Sequence, residues 1–547
     1  MRLPEDEELA AATIAAAAAG GITVFDTARA YDGNESLLAR ALRECGSDTR
    51  ARVVTKGGMQ RAGGAWVPDG RAKSLRSDCE ASLAALGGLP IDLYLVHAPD
   101  PRTPWPTTVR ALRRLVDDGL VARVGLANVN RDQLSAAVEL APIAAVQVGL
   151  SVLDDRAVRG GIVELCRESG ITLIAHSPLG GPRRAASLSR NDALTTVAAG
   201  VGASPAEVAL AWLLDLAPDV VAIPGARRPE AARSAARAGR LVLSEAARAS
   251  LARAFGRRRP TRRAATGGDV VVVMGIPGAG KTRIAQHYGE RGYLRLNRDE
   301  RGGSLRELAT ALDDELAAGE RQIVLDNTYL TRAARSHVVD AAARHGVRTR
   351  CVWVDTPLAQ AQVNLVDRLL DRFGRLPAPE ELRSQSRREA ALLLPTSQMR
   401  ALRELEPPAA DEGWNEIERL IFARDPPSSG RAGVFIAGSA LERAIPDRVL
   451  AQVGPEAPRL VFDWDPDGGR EAILLRAASG LPGAVEIAVC PHGAGPPTCW
   501  CRPPLPGLPL AFARAHGIEP ARSIVVGAAA AHRTLAATLG AAYVAIS

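Results

Sequence analysis

Lysine is almost absent from this chain. Among 68 basic residues there are only three lysines, Lys56, Lys73 and Lys281, and the other 65 are arginines. An arginine guanidinium replaces a lysine ammonium poorly where a compact charge with a tunable pKa is needed. Two of the three, Lys56 and Lys281, fall inside the motifs described below.

Long apolar runs, a basic leader and a disulfide framework are also missing. The longest apolar stretch, about residues 10–20, is rich in alanine and too short to cross a bilayer. The chain opens with the acidic pair Glu5 and Asp6, where a signal peptide needs basic residues followed by an apolar core. Seven cysteines are odd in number and four of them are isolated, which disfavours structural disulfides. These absences predict a cytoplasmic protein without membrane association.

The length and the alternation of elements predict several α/β domains. A chain of 547 residues corresponds to about three to five domains. Up to residue 255, helices alternate with seven short apolar strands, typical of a (β/α)8-type barrel with parallel strands. The strands are predicted at Ile22–Phe25, Arg52–Thr55, Ile91–Val96, Ala122–Leu126, Ala145–Val148, Thr172–Ala175 and Val220–Ile223. Because a helix comes first, the barrel lacks its first strand, so either the true start codon lies upstream or this domain is impaired.

Two breaks in the pattern predict three domains. Residues 256–268 contain Arg257–Arg259, Arg262 and Arg263, and form either a solvated basic linker or, less favoured, an arm for nucleic acid. A second α/β domain is predicted at 269–425 and a third at 431–547, separated by a segment rich in proline, serine and glycine. The oligomeric state stays open.

Four ionisable residues lie at the carboxyl ends of successive predicted strands: Asp26, Tyr31, Lys56 and His97. In a barrel these ends share one mouth. A phenol with its ordinary pKa near 10 needs a nearby cation before it can act as an acid at neutral pH. Lys56 can supply that cation, Asp26 can hold the Lys56 ammonium, and His97 can orient a carbonyl oxygen.

The contexts FDTA…Y, TK and HAPD resemble those of the catalytic tetrad of the aldo-keto reductase family over about residues 1–255. The resemblance implies reduction of a small aldehyde or ketone by NADP or NAD, with Tyr31 as the general acid. It also implies that Asn128 and Gln147 hold the nicotinamide carboxamide, and that Ser177 and Leu179 line the diphosphate. Where many family members carry Ile-Pro-Lys-Ser for the 2′-phosphate, this chain has Arg227 and Arg228 nearby, so the choice between NADP and NAD rests on these two arginines.

A phosphate-binding loop follows the first strand of the second domain. Gly275-Ile276-Pro277-Gly278-Ala279-Gly280-Lys281-Thr282 matches GxxxxGK[ST] between an apolar strand and a helix. In this motif Gly275, Gly278 and Gly280 let backbone N–H groups surround the phosphates of ATP, Lys281 reaches the β and γ phosphates, and Thr282 ligates Mg²⁺. The sequence predicts a three-layer α/β kinase domain.

The phosphate acceptor is less defined. Asn297-Arg298-Asp299 resembles the signature of polynucleotide 5′-kinases, which implies that Asp299 activates the 5′-hydroxyl of a DNA or RNA end. The family's next arginine is replaced by Gly302. Arg368, Arg372 and Arg375 resemble the lid of such kinases, with Arg368 as the expected phosphate contact, although a merely solvated arginine face fits the spacing nearly as well. A small-molecule kinase is the alternative.

Three cysteines and a histidine cluster in the third domain. Cys490, His492, Cys499 and Cys501 provide three thiolates and an imidazole, the ligand set of a closed structural zinc site. Together with the segments that follow them, they resemble the histidinol-phosphatase-like branch of the haloacid dehalogenase superfamily. That chemistry needs an aspartate nucleophile in a DxD motif, and the matching place reads Ala437-Gly438-Ser439. An alternative DxD, Asp463-Trp464-Asp465, precedes glycines typical of a turn, so we expect an inactive, zinc-stabilised domain.

These observations predict a fusion of an aldo-keto reductase-like barrel, a polynucleotide-kinase-like domain and a degenerate phosphatase-like domain. In the alternative, the barrel and the third domain are scaffolds around one active small-molecule kinase.

Overall fold

The structure of the chain is a computed structural model. It describes residues 6–546 except 63–64, 183, 257–266, 387–388, 390, 422–428, 444, 446–448, 450–452 and 455. The basic run Arg257–Arg263 lies outside the described residues. The chain divides into two compact units, residues 1–259 and 260–547.

The first unit is a nearly closed barrel of seven parallel strands in the order β1-β2-β5-β6-β7-β8-β9. Its strands are β1 Val24–Asp26, β2 Arg52–Gly57, β5 Ile91–Val96, β6 Val124–Ala127, β7 Ile143–Gly149, β8 Thr172–His176 and β9 Val220–Ile223. Each sequence-predicted strand is therefore present, with ends shifted by at most two residues. Apolar side chains from five of the strands, Val54, Leu93, Leu95, Ala127, Ala145 and Ile174, form a buried cluster.

Helices surround this sheet. They are α1 Glu7–Ala19, α2 Asn34–Glu44, α3 Ala72–Leu86, α4 Trp105–Asp117, α5 Arg131–Val138, α6 Arg156–Arg159, α7 Ile162–Glu168, α8 Asp192–Val201, α9 Pro205–Leu214, α10 Pro229–Ala238 and α11 Glu245–Phe255. Local sequence explains several helix starts. Helix α9 begins with a capping box between Ser204 and Glu207 and with Pro205 in its first turn, all favourable at a helix N-terminus.

Strands β1 and β9 are the two ends of the sheet. An apolar cavity of about 280 Å³ is lined by residues of both strands and of α1, α9 and α10. Val24 of β1 is 36% exposed. Among the described residues no strand pairs with the outer edge of β1 or β9, which agrees with the seven strands predicted from the sequence.

A hairpin absent from the sequence prediction follows β2. Its antiparallel strands are β3 Met59–Ala62 and β4 Ala65–Pro68. Gly58, at φ +73°, turns the chain from β2 into β3. The hairpin places Trp66 beside the carboxyl ends of the barrel strands.

The second unit contains two five-stranded parallel sheets, in the orders β11-β12-β10-β13-β14 and β17-β16-β15-β18-β19. The strands of the first are β10 Asp269–Met274, β11 Leu294–Asn297, β12 Gln322–Asp326, β13 Arg348–Asp355 and β14 Glu416–Ile421; those of the second are β15 Val434–Ala437, β16 Arg459–Trp464, β17 Val485–Cys490, β18 Ile524–Gly527 and β19 Ala542–Ala545. Strand β10 is almost fully buried between β12 and β13, because its Val270–Met274 run is apolar on both faces.

The described helices of this unit cover both sheets. They are α12 Lys281–Glu290, α13 Arg298–Arg301, α14 Leu305–Ala318, α15 Arg332–His345, α16 Leu358–Phe373, α17 Pro379–Gln385, α18 Pro395–Glu404, α19 Gly438–Leu441, α20 Arg470–Ala478, α21 Gly507–His516 and α22 Ala530–Leu539. Helix α16 belongs to the predicted kinase domain, but its apolar side chains join one cluster with those of the second sheet.

In the part of the chain that the structure describes, no single helix combines the length and hydropathy of a membrane span. Helices α8 and α9 meet the composition test only as a pair bent by 94°.

Candidate active sites

The barrel mouth brings together the four ionisable residues predicted from the sequence. The Lys56 ammonium lies 2.6 and 2.7 Å from the two carboxylate oxygens of Asp26 and donates to the carbonyl of Thr27 at 2.8 Å. Gln147, from the opposite side of the barrel, donates to Asp26 at 2.7 Å. Burial lowers the pKa of Lys56, and Asp26 opposes this shift. Burial is the largest single influence on Asp26 and acts to raise its pKa, but the Lys56 charge together with the hydrogen bonds from Lys56 and Gln147 leaves this pKa lowered.

Tyr31 lies over this ion pair. Its ring centroid is 5.8 Å from the Lys56 ammonium and 5.8 Å from the ring of His97. Sequence reasoning missed Trp66. Its ring packs edge-on against Tyr31, with the ring centroids 6.1 Å apart, and its centroid lies 5.8 Å from that of His97. The Arg61 guanidinium stacks 4.3 Å from the Trp66 ring, and Trp66 is 45% exposed. An exposed aromatic ring beside three ionisable groups forms a wall for a ligand.

His97 is a neutral group in this mouth. Burial, with help from the Lys56 charge, lowers the pKa of His97 to about 4. Its Nδ1 atom is buried and has no hydrogen-bond partner among the described residues. A neutral imidazole has one ring nitrogen that donates a hydrogen bond and one that accepts.

Asn128 and Ser177, both predicted to contact a cofactor, belong to one polar network. The Asn128 amide nitrogen donates to the carbonyl of His97 at 3.0 Å, and its oxygen lies 3.0 Å from Nε2 of His176. Nδ1 of His176 lies 3.2 Å from the Ser177 hydroxyl. Asn128 and Ser177 have φ angles of +56° and +51°, which are unusual for residues other than glycine. His176 was missed, although its place at the carboxyl end of a barrel strand is a usable signal.

The phosphate-binding loop has the predicted strand-loop-helix form. It connects β10 to α12, and Gly275, Gly278 and Gly280 have φ angles of +153°, +85° and +93°. A Cβ on Gly278 would lie 2.3 Å from the carbonyl of Ala361, whereas one on Gly280 would meet nothing within 4 Å. The loop is therefore packed against α16 on one side and open at Gly280, the shape of a cradle for a phosphate group.

Lys281 closes the loop. Its ammonium donates to the carbonyl of Ile276 at 3.0 Å. Burial lowers the pKa of Lys281 to about 8; the negative charges of Asp326 and Asp299 oppose the shift and the positive charge of Arg368 adds to it. These charged groups thus converge around Lys281. Thr282 is exposed in the first turn of α12.

Comparison with known proteins shows the family of the first unit. The model of the Aldo/keto reductase family matches residues 2–254. A probable aldo-keto reductase of Glycine max is 35% identical over 254 residues, covering 41% of this chain and 72% of that protein. Through its first unit, the chain belongs to the aldo/keto reductase family.

Further relatives match the same unit. An aldo-keto reductase of Strobilurus tenacellus is 31% identical over 242 residues, covering 39% of this chain and 71% of the relative. The solved glycerol dehydrogenase of Gluconobacter oxydans is 27% identical, with 47% of this chain and 88% of that one covered and a TM-score of 0.42. The aldo/keto reductase from Klebsiella pneumoniae, solved with NADP and acetate, is 26% identical, with 46% and 87% covered and a TM-score of 0.41. In the second unit, a model described as an AAA domain matches residues 270–393, the phosphate-binding loop included.

The remaining sequence-predicted residues of the reductase domain are Leu179, Arg227 and Arg228. Leu179 is partly buried and packs with the cluster of α8 and α9. Arg227 and Arg228 are exposed and precede the first turn of α10. Two exposed guanidinium groups are suited to binding a phosphate.

The negative charge of Asp299, the predicted base, acts on Lys281 of the phosphate-binding loop. Asp299 is 45% exposed and forms an ion pair with Arg298 at 3.3 Å. Sequence reasoning assigned no role to Asp326, which accepts from Arg295 at 2.6 Å and from Asn297 at 3.1 Å. Its position at the end of a buried apolar strand was the sequence signal that could have identified Asp326. Asp326 thereby fixes the strand end from which Asp299 follows.

The three arginines of α16 and its following turn differ in their partners. Arg368 donates to the carbonyl of Ala391 at 3.2 Å, and its charge reaches Lys281. Arg372 pairs with Glu389 at 3.3 Å, and Arg375 pairs with Glu381 at 3.0 Å. Arg372 and Arg375 thus serve in surface ion pairs, and Arg368 is the one nearest to the phosphate-binding loop.

The second sheet places the predicted metal ligands together. Ligand atoms of Cys490, His492, Cys499 and Cys501 all lie within 4.8 Å of one another. Nδ1 of His492 is 3.2 Å from the Cys501 sulfur and 3.5 Å from the Cys490 sulfur. Three sulfurs and one nitrogen at this spacing, with Cys490 and Cys499 fully buried, fit a tetrahedral zinc ion.

The alternative DxD pair beside this cluster is used to start a helix. Asp465 accepts from the backbone N–H groups of Gly468 and Arg470 at 3.0 and 2.7 Å. Asp463 accepts from the Arg470 guanidinium at 2.7 Å. Both carboxylates are therefore occupied at the turn into α20.

Proposed function

We propose that the first unit reduces a small aldehyde or ketone with NADPH. The observation that carries this proposal is the buried Lys56–Asp26 pair beneath Tyr31, because a phenol can act as a proton donor only beside a stabilising cation. When bound, the nicotinamide cofactor supplies the hydride. Tyr31 donates its hydroxyl proton to the carbonyl oxygen, and the Lys56 ammonium stabilises the phenolate that remains. Neutral His97 orients the carbonyl oxygen through a ring N–H.

The cofactor would be held by the strand ends on the other side of the mouth. Asn128 and Gln147 offer amide groups for the carboxamide, and Ser177 and Leu179 would line the diphosphate. Arg227 and Arg228 would contact the 2′-phosphate, which is why NADP is preferred over NAD in this proposal.

The test follows NADPH oxidation with a panel of small aldehydes and ketones. Tyr31→Phe should retain NADPH binding and lose reduction by about 10²- to 10⁴-fold, the usual contribution of general acid catalysis. Arg227→Ala with Arg228→Ala should raise the KM for NADPH while leaving the KM for NADH unchanged. Full activity in the Tyr31 variant would contradict the assignment.

We further propose that residues 269–425 form an ATP-dependent kinase domain acting on 5′-hydroxyl ends of DNA or RNA. The loop from Gly275 to Gly280, with Lys281, would bind the phosphates, and Thr282 would hold Mg²⁺. Asp299 would accept the proton of the attacking hydroxyl, since it is exposed and its charge acts on Lys281. Arg368 would stabilise charge on the transferred group.

A small-molecule acceptor is the second candidate, favoured by the absence of the expected arginine at Gly302. Transfer of labelled γ-phosphate from ATP to 5′-hydroxyl oligonucleotides separates the two. Labelling that Lys281→Ala and Asp299→Ala abolish supports the polynucleotide activity. ATP binding without labelling would refute the polynucleotide activity and leave small hydroxyl compounds as the candidate acceptors. In that alternative, the barrel and the third domain are scaffolds around one active small-molecule kinase.

For residues 431–547 we propose a haloacid-dehalogenase-like domain without phosphatase activity, stabilised by zinc. Support comes from the Cys490–His492–Cys499–Cys501 cluster and from Asp463 and Asp465, whose carboxylates accept from the side chain and the backbone N–H of Arg470. Elemental analysis should find about one zinc per chain, and Cys499→Ser should lower that content. Hydrolysis of p-nitrophenyl phosphate by this protein would contradict the proposal.

A further inference from the structure

We propose that Trp500 is a positioning residue for the phosphate-binding loop, and that the metal centre flanking it sets nucleotide affinity through α16. This inference rests on the proposed metal and nucleotide sites. The inference concerns the described side chains that connect these two sites within the second unit.

The first link joins the cysteine cluster to Trp500. Trp500 lies between Cys499 and Cys501, so metal ligation would fix the backbone on both sides of it. Its side chain is 2% exposed, and its indole N–H donates to the carbonyl of Leu393 at 2.8 Å. Leu393 lies in the segment between α17 and α18, not in the second sheet. The ligand loop thus reaches directly into the part of the chain that carries the nucleotide site.

The second link joins Trp500 to α16. The indole belongs to the same buried apolar cluster as Val366, Leu369 and Leu370 of this helix. Arg514 of α21 adds an ion pair with Asp371, near the carboxyl end of α16. Because packed interiors have few voids, a shift of Trp500 must be taken up by its neighbours. The carboxyl half of α16 is consequently held by the second sheet and by the loop that bears the metal ligands.

The third link joins α16 to the phosphate-binding loop. Asn364 donates to the carbonyl of Gly278 at 2.7 Å. Gly278 is so close to the helix that a Cβ there would lie 2.3 Å from the Ala361 carbonyl and 3.0 Å from the Leu365 side chain. Arg368, one turn further on, contributes its charge to the surroundings of Lys281. A rigid helix therefore connects the metal centre to the loop that would bind the phosphates.

Loss of the metal should loosen this connection. Without ligation the loop around Trp500 gains conformational freedom, α16 loses part of its support, and nucleotide binding must then order the phosphate-binding loop itself. Coupling of this kind is expected to change affinity by about 5- to 150-fold and to act equally in both directions. We expect zinc removal to raise the Kd for ATP about tenfold. ATP should in turn lower the Kd for zinc by the same factor.

The experiment uses the full chain and a fluorescent ATP analogue with Mg²⁺. The Kd is measured before and after zinc removal by a chelator that spares magnesium, and again after zinc is restored. Trp500→Phe keeps most of the packing but removes the N–H donor, and should raise the Kd of the zinc-loaded protein. Trp105→Phe is the matched control, because its indole N–H also donates to a backbone carbonyl, that of Gln133 at 2.9 Å, but in the reductase unit.

The outcomes separate this inference from the proposals beneath it. Lys281→Ala must abolish binding of the analogue, and zinc must be present in stoichiometric amount; failure of either refutes the proposed site and this inference with it. If both hold and the Kd is the same with and without zinc, only the coupling is refuted. Amide hydrogen exchange should quicken in α16 on zinc removal, and unchanged exchange there would also overturn the inference, even if Trp500→Phe fails to fold.

Discussion

The ammonium of Lys56 lies 2.6 Å from a carboxylate oxygen of Asp26, and neither side chain is more than 6% exposed. Breaking a buried pair by removing one charge leaves the other uncompensated and costs about 3 to 5 kcal/mol. Asp26→Asn should therefore destabilise the reductase unit as well as reduce its activity. Thermal unfolding and NADPH oxidation would measure the two effects.

Lys73 provides the matched control for this pair. It is the only other lysine of the reductase unit and lies exposed in α3. Lys56→Met should lose carbonyl reduction by about 10²-fold or more, whereas Lys73→Met should change it less than twofold. Equal loss in both variants would mean that Lys56 has no special role.

His176 should orient Asn128 for the cofactor. Its Nε2 lies 3.0 Å from the Asn128 amide oxygen. This contact sets the orientation of the Asn128 amide group in the mouth. His176→Phe should raise the Kd for NADPH by about tenfold, and His176→Gln, which keeps a donor, should recover most of it. A double-mutant cycle with Asn128→Ala should give a coupling of about 0.5 to 3 kcal/mol. Strictly additive losses would show that His176 acts elsewhere.

Nucleotide affinity should depend on the ionisation of Lys281, whose pKa is lowered to about 8 by burial. Bound phosphates favour the ammonium form and raise this pKa, so the Kd for ATP should be constant below pH 8. Above pH 8 it should rise by up to about tenfold per pH unit. Titration of a fluorescent ATP analogue between pH 7 and 9.5 tests this. A pH-independent Kd over that range would place the phosphates away from Lys281.

Gly278 should tolerate no side chain. A Cβ there would collide with the Ala361 carbonyl, so Gly278→Ala should displace the phosphate-binding loop from α16 and weaken ATP binding by about 10²-fold or more. Gly319→Ala is the control: this glycine also has a positive φ, +105°, but a Cβ on it meets nothing within 4 Å. Both variants place a side chain on a backbone with positive φ. A comparable loss of ATP binding in each would therefore show that backbone strain, and not the collision with Ala361, causes the loss.

Much of the fold was predictable because it depends on local pattern. Each of the seven barrel strands is a short apolar run, and each ends near its predicted position, since parallel strands buried on both faces leave this signature. The order of Asp26, Lys56 and His97 along successive strand ends was enough to place them at one mouth. The phosphate-binding loop was predictable for a simpler reason: its functional groups are contiguous in the chain.

Contacts between distant segments were not predictable in this way. Trp66 reaches Tyr31 and His97 only because a short hairpin folds over the mouth, and His176 meets Asn128 only because β6 and β8 both end there. The sequence pattern does not predict either contact, because each contact depends on strand order and on side-chain rotamers.

The sequence by itself determined which residue types stand at which spacing, including the phosphate-loop motif, the order of Asp26, Lys56 and His97, and the near absence of lysine except at positions that include Lys56 and Lys281. Only the tertiary structure decided that Lys56 is buried against a carboxylate and that the partly buried Lys281 donates to a backbone carbonyl. It also decided that α16 is shared between the phosphate-binding loop and the second sheet. The physical reason is that residue type and spacing are encoded locally, whereas burial and packing arise only when segments far apart in the chain exclude water from one another.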